Sequence, residues 1–268
     1  MSVNRRWIAG TFAAIALGVG AFSPAISIHA DSDPKDVLRT AVDSTRQVTS
    51  LHAEAHTTGS NPAPSGTDVH WSASLAGTDS DISVQNSTRS VRTIAIGSKV
   101  YQQTPLGPGA TWQVQDRGPV VDDTTPGMGL LALTFPDGRS AGDASLYTSV
   151  TSSTSTPPAA APVPTIGNVQ LGTVASAQTT TPQQQTLIGQ LNMQQVGLAL
   201  RAGASDLAVI NQWQGTLTVT VGSDGRIVHQ VLALHGPSPT AGEPPFSLTH
   251  DVSYSQFNAT SVSAPVQP

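Results

Sequence analysis

The hydrophobic positions change their period along the chain. In residues 33–50, Leu38, Ala41, Val42 and Val48 recur at helical steps, with Thr45 between them. Asp33 suits the cap position, Pro34 the first helical position, and Asp36 the positive end of the helix dipole. The spacing predicts a helix ending near Ser50. Period two then takes over. Val69, Trp71, Ala73 and Leu75 alternate with His70, Ser72 and Ser74, and Ile82 and Val84 alternate with Ser83 and Gln85. Residues 91–96 lead through Gly97-Ser98, a two-residue loop of the hairpin kind, into Lys99-Val100-Tyr101. After a Pro/Gly turn at 105–109, Trp112-Gln113-Val114 makes another short strand. Residues 51–116 therefore predict a meander of about six antiparallel strands.

Beyond this meander the pattern is less regular. Pro126-Gly127-Met128-Gly129-Leu130-Leu131-Ala132-Leu133 reads as a short helix packed on the sheet. Residues 148–164 are Ser, Thr, Ala and Pro with little else. They read as a mobile low-complexity loop, because so little apolar area does not offset the entropy of ordering it. Strand character returns at 168–177. Thr181-Pro182-Gln183 then opens a second expected helix, with Leu187, Ile188, Leu191, Val196 and Leu198 as its apolar positions. Residues 215–221 pair with 226–234 across Gly222-Ser223-Asp224-Gly225, and Phe246, Leu248, His250, Val252 and Tyr254 alternate in a last strand.

About ten strands and at least two helices give an α+β fold. A twisted antiparallel sheet of that size curls, so the expected architecture is a strongly curved half-barrel with a helical plug on its concave face. Such a plug need not fill the space beneath it, and small barrels of this size hold one apolar ligand. The cavity-facing set is then Trp71, Leu75, Ile82, Val84, Ile94, Ile96, Leu187, Leu191, Val219 and Leu232, with Trp112 and Trp213 as core or lining. Each methylene buried on such a surface contributes ~0.8 kcal/mol, and no charged partner is required.

The start of the chain reads as a secretion leader. Asn4-Arg5-Arg6 is basic, residues 7–22 are apolar, and Ser23-Pro24-Ala25 and Ile28-His29-Ala30 supply small residues for cleavage. Arg5-Arg6 also allows a twin-arginine reading. The apolar run is shorter than the ~20 residues that span a bilayer, so membrane association is expected only through an uncleaved leader, if at all. The expected organisation is a leader over 1–30 and one extracytoplasmic domain over 31–268.

Composition narrows the chemistry. Charged residues make up 11% of the chain, far below the ~25% of an average soluble domain. Mean hydropathy is −0.07, which excludes a multi-span membrane protein. The net charge is −5, and Lys35 and Lys99 are the only lysines, so a nucleic-acid partner is excluded. With no cysteine there are no disulfides, thiolate metal sites or thiol catalysis. His52, Glu54 and His56 have metal-ligand chemistry, but on a strand the two histidines lie about 13 Å apart at ~3.3 Å per residue, too far to share an ion. His250-Asp251 and the many serines come without a G-x-S-x-G elbow, and no dinucleotide or phosphate-loop glycine pattern is present. Asp79-Ser80-Asp81 and Asp122-Asp123 read as solvated turns rather than calcium loops. No catalytic residue, metal or cofactor is expected.

The order of elements is also familiar. A capped helix leads into Ser50-Leu51-His52-Ala53-Glu54-Ala55-His56-Thr57-Thr58-Gly59. The meander, the Leu130-Leu131 helix, a strand near Gly167-Asn168-Val169 and the hairpin 216–235 follow. The chain closes on Tyr254-Ser255-Gln256-Phe257-Asn258-Ala259-Thr260-Ser261-Val262-Ser263-Ala264-Pro265. Over most of residues 33–265 this resembles the LppX/LprG group of bacterial envelope lipoproteins, which share a fold with the lipoprotein carriers LolA and LolB and with RseB. The resemblance implies a half-barrel with a helical plug whose cavity takes a lipid, an acyl chain or another hydrophobic molecule, without catalysis. The alternative it implies is an RseB-like module with a filled core and an envelope protein as partner. One departure is plain: many members carry a lipobox cysteine after the leader, and this chain has none. It is expected to be secreted or held by its leader.

Overall fold

The structure is a computed structural model that describes residues 32–60, 68–87, 90–104, 111–116, 139–155, 184–238, 242 and 244–265. The leader, the expected helix at 126–133 and the expected strand at 168–177 lie outside the described residues.

Helix α1 spans Pro34–Arg46, and Asp33 caps it by accepting a hydrogen bond from the Lys35 amide at 2.9 Å. It stops one turn short of Ser50, because Ser50 already belongs to strand β1 (Ser50–Ser60). Its apolar stripe of Val37, Leu38, Ala41 and Val42 is buried. Thr45 lies on the same stripe. Its hydroxyl donates to the Ala41 carbonyl at 2.7 Å and accepts from the Ile227 amide at 2.9 Å, which ties the helix to the sheet.

The meander follows as β2 (Val69–Ala76), β3 (Asp79–Asn86), β4 (Ser90–Ile96), β5 (Lys99–Gln103) and β6 (Gln113–Asp116). Gly97 turns β4 into β5 with φ +53°, a conformation that costs other residues strain. A 3₁₀ turn at Ala144–Leu146 leads into β7 (Tyr147–Ser155) and then β8 (Gln184–Leu191). Two short helices come next, α2 (Met193–Ala199) and α3 (Ala204–Ile210). The chain ends with β9 (Gln214–Val221), β10 (Ile227–Gly236) and β11 (Phe246–Ser255).

All eleven strands join one antiparallel sheet in the order β6-β5-β4-β3-β2-β1-β11-β10-β9-β8-β7. Among the described residues the sheet is open, with β6 and β7 as its edges, and the helices gather on one face. The fold is α+β, an open half-barrel. Among the described residues, no helix is long and apolar enough to cross a membrane.

Two expectations need correction. Of the expected loop at 148–164, residues 148–155 belong to strand β7 and the rest lies outside the described residues; backbone pairing with β8 orders a segment whose side chains promise little burial. Residues 184–191 are strand β8 and not the start of a helix. Leu187 and Leu191 lie four apart, a spacing that fits one face of a helix and one face of a strand equally well. Pairing with both β7 and β9 decides for the strand.

Candidate functional site

Directly opposed residues of an antiparallel pair share a face, so the register maps both faces of the sheet. One rung of the inner face runs Val84, Trp71, Ala55, Val252, Gln230, Val219, Leu187. The next carries Thr57, His250, Leu232, Leu217 and Gly189. On the other side, Ile82, Ala73, Ala53 and Tyr254 are in line. Eight of the ten expected lining residues therefore stand on one face: Trp71, Leu75, Ile82, Val84, Leu187, Leu191, Val219 and Leu232.

Ile94 and Ile96 do not. Ile82 opposes Thr93, whereas Ile94 opposes Asp81 and Tyr101, and Ile96 opposes Lys99, so both isoleucines point to the outer face. Strand β4 carries apolar residues on both phases of its alternation, and only the register separates them.

On the inner face, the stripe of α1 and the α2 residues Met193, Val196 and Ala199 join Leu187, Val219 and Leu232, and also Ala53, Ala55, Trp71, Ala73, Val252 and Tyr254 of β1, β2 and β11, in a single core. Leu187, Val219 and Leu232 are each 1% exposed. Trp71 is also buried, while Leu75, Ile82, Val84 and Leu191 are half-buried.

Polar atoms interrupt this apolar strip. Thr57 Oγ1 and His250 Nδ1 are hydrogen-bonded at 2.7 Å, and the imidazole stacks on the Trp71 indole. Among the described residues, Trp71 Nε1, His250 Nε2, Tyr254 OH and Gln185 Oε1 are buried side-chain atoms without a hydrogen-bond partner. Burial pushes the His250 imidazole down to about 4 against the opposing pull of Asp251, so it is neutral near pH 7. Burial likewise raises the Tyr254 phenol and keeps it un-ionised. The strip is apolar with uncharged polar points, a lining suited to a largely hydrophobic molecule.

The outer face differs in kind. It holds a groove of about 410 Å³ over β3, β2, β1 and β11, lined by Glu54, His56, His70, Ser72, Ser83, Gln85, Asp251 and Ser253. Of the expected lining residues only Trp71 borders it. His52, Glu54 and His56 all stand on this face. His52 Nδ1 meets Ser74 Oγ at 3.0 Å, and its Nε2 lies 3.4 Å from Glu54. His56 turns instead to residues beyond the sequence triplet. Its Nε2 is 2.6 Å from Asp68 Oδ1, and its ring stacks on that of His70. The hydrogen bond from His56 holds the Asp68 carboxyl below the usual carboxylate range. Nearby, His229 Nε2 pairs with Asp251 at 2.8 Å.

No family model matches the chain, and no curated protein matches it. Among solved structures it is similar to the lipoprotein LppX of Mycobacterium tuberculosis. The likeness covers 84% of this chain and 94% of that one, at 13% identity and a TM-score of 0.43. It is also similar to a DUF1329 family protein from Desulfovibrio piger, covering 84% and 92% of the two chains at 7% identity and a TM-score of 0.24. What the protein binds must come from its own residues.

Sequence reasoning missed His250 and Tyr254 as inner-face polar groups, and Asp68 and His70 as neighbours of His56. The first pair left a signal: both occupy the apolar phase of the last strand, where a histidine is out of place. The second pair left none, since the contact depends on how β1 and β2 are registered.

Proposed function

We propose that the protein is an exported, non-catalytic carrier that binds a lipid or another hydrophobic molecule against the inner face of the half-barrel. The observation that supports this reading is the pairing of apolar surface with unpartnered polar atoms on one face. Leu75, Ile82 and Val84, on the β2–β3 side, offer half-open apolar area beside the buried Trp71. Trp71 Nε1, His250 Nε2 and Tyr254 OH are buried polar atoms on the same face, and each such atom costs about 1–3 kcal/mol if it stays unpaired. A molecule with a long apolar body and one uncharged polar group satisfies both. Its chain gains ~0.8 kcal/mol per buried methylene, and its hydroxyl or carbonyl supplies the missing hydrogen bond. Export follows from the leader read in the sequence.

Native mass spectrometry of gently purified protein tests the proposal. The expected result is an acyl-sized mass that disappears on organic extraction, after which the stripped protein takes up a fluorescent fatty acid. If neither is seen, the carrier reading fails.

One observation favours a second reading. Leu187, Val219 and Leu232 are each almost fully buried, which also fits an interaction module with a filled interior. That reading expects no ligand and an envelope protein captured by crosslinking to the outer surface.

A further inference from the structure

We propose that His56, His70 and Asp68 form a binding site for a divalent transition-metal ion on the outer face. His56 and His70 are directly opposed on β1 and β2, in the middle of the sheet. Their rings are parallel to within 9°, with centroids 4.0 Å apart. Both Nε2 atoms address the same carboxylate oxygen, Asp68 Oδ1, at 2.6 Å from His56 and 3.5 Å from His70. The three ligand atoms all lie within 4.8 Å of one another. Metal–ligand bonds of about 2.1 Å at tetrahedral angles place donor atoms about 3.4 Å apart, so small side-chain rotations bring all three onto one ion.

The donor set selects the metal class. Two imidazoles and one carboxylate suit Zn²⁺ and Cu²⁺, whereas Ca²⁺ and Mg²⁺ take oxygen ligands. The three protein ligands leave coordination positions open, and the site sits on the lip of the outer groove. The neighbouring histidines do not belong to it: His52 is engaged with Ser74, and His229 with Asp251. Because the site is on the face opposite the expected ligand strip, it stands or falls independently of the carrier reading.

The test is titration of tag-free full-length protein, previously dialysed against chelator, with Zn²⁺ by calorimetry and with Cu²⁺ followed by electron paramagnetic resonance. The expected result is one Zn²⁺ per chain and a Cu²⁺ spectrum showing two coordinated nitrogens. His56→Asn and His70→Asn should each weaken binding on the order of tenfold or more, while His52→Asn and His229→Asn leave it nearly unchanged. All four side chains are at least partly exposed, and an unchanged melting temperature confirms that the variants are folded. Absence of binding, or binding that the His56 and His70 variants retain, overturns the site. Equal loss in the His52 and His229 variants overturns it as well, since the affinity would then belong to the histidine-rich face at large.

Discussion

The rings of Trp71 and His250 stack across the inner face with centroids 5.8 Å apart, although strand β1 lies between the strands that carry them. Ala55 and Thr57, the β1 residues between them in the register, are small enough to let the rings meet. A polar ring is thereby held 1% exposed inside an otherwise apolar strip.

That burial makes a pH prediction. The unfolded chain protonates His250 near 6.5, whereas the folded protein resists protonation until about 4. Between those values the unfolded state binds more protons, so stability falls as the pH falls from 6.5 towards 4. The full effect is at most about 3 kcal/mol, at 1.36 kcal/mol per unit. Urea unfolding midpoints across this range should drop more steeply for the wild type than for His250→Phe. Parallel curves for the two proteins would refute the assignment.

Thr45 makes a separate prediction about the plug. Its hydroxyl is the partner of the buried Ile227 amide. Thr45→Val keeps the shape but leaves that N–H unpaired, at a cost of about 1–3 kcal/mol. Thr45→Ser keeps the hydroxyl and should lose markedly less. Denaturant midpoints of the two variants decide the matter: if serine costs as much as valine, the methyl group and not the hydrogen bond is what matters at this position.

The sheet edge at β7 rests on an aromatic-over-glycine contact. A Cβ added at Gly189 would stand 2.6 Å from Tyr147 Cδ1. The tyrosine is not free to swing away, because its hydroxyl donates to the Ala141 carbonyl at 2.5 Å. Gly189→Ala should therefore destabilise the protein by about 1–3 kcal/mol. Combining it with Tyr147→Leu should recover part of the loss. Additive losses in this double-mutant cycle would show that the two positions do not clash.

Much of this fold was legible because period two is a strong signal where polar and apolar residues alternate strictly. Strands β2 and β3, and Val219 of β9, were assigned to the face they occupy for that reason. Ile94 and Ile96 were not, because β4 has apolar residues on both phases and its register with β3 fixes which of them face inward. Strand β7 escaped notice since Thr and Ser favour turns as readily as edge strands, and Val150 is its one aliphatic residue. The His56–His70 pair depends on the β1–β2 register, which the intervening residues do not announce. The sequence showed His56 only beside His52 and Glu54, the wrong neighbours.

The register also supplies the sharpest test of the carrier reading. Ile82 faces inward on the half-open side, and Ile96 faces outward from the neighbouring strand. Both are half-buried isoleucines, so truncation removes the same atoms from opposite faces. Ile82→Ala withdraws three carbons from a bound acyl chain, worth about 2 kcal/mol or roughly thirtyfold in affinity. Ile96→Ala should leave affinity for the same fluorescent fatty acid within a factor of about two, since a residue on the far face makes no contact with the chain. If the two variants weaken binding equally, the ligand does not lie against the inner face. If only Ile96→Ala weakens it, the outer groove is where the molecule binds.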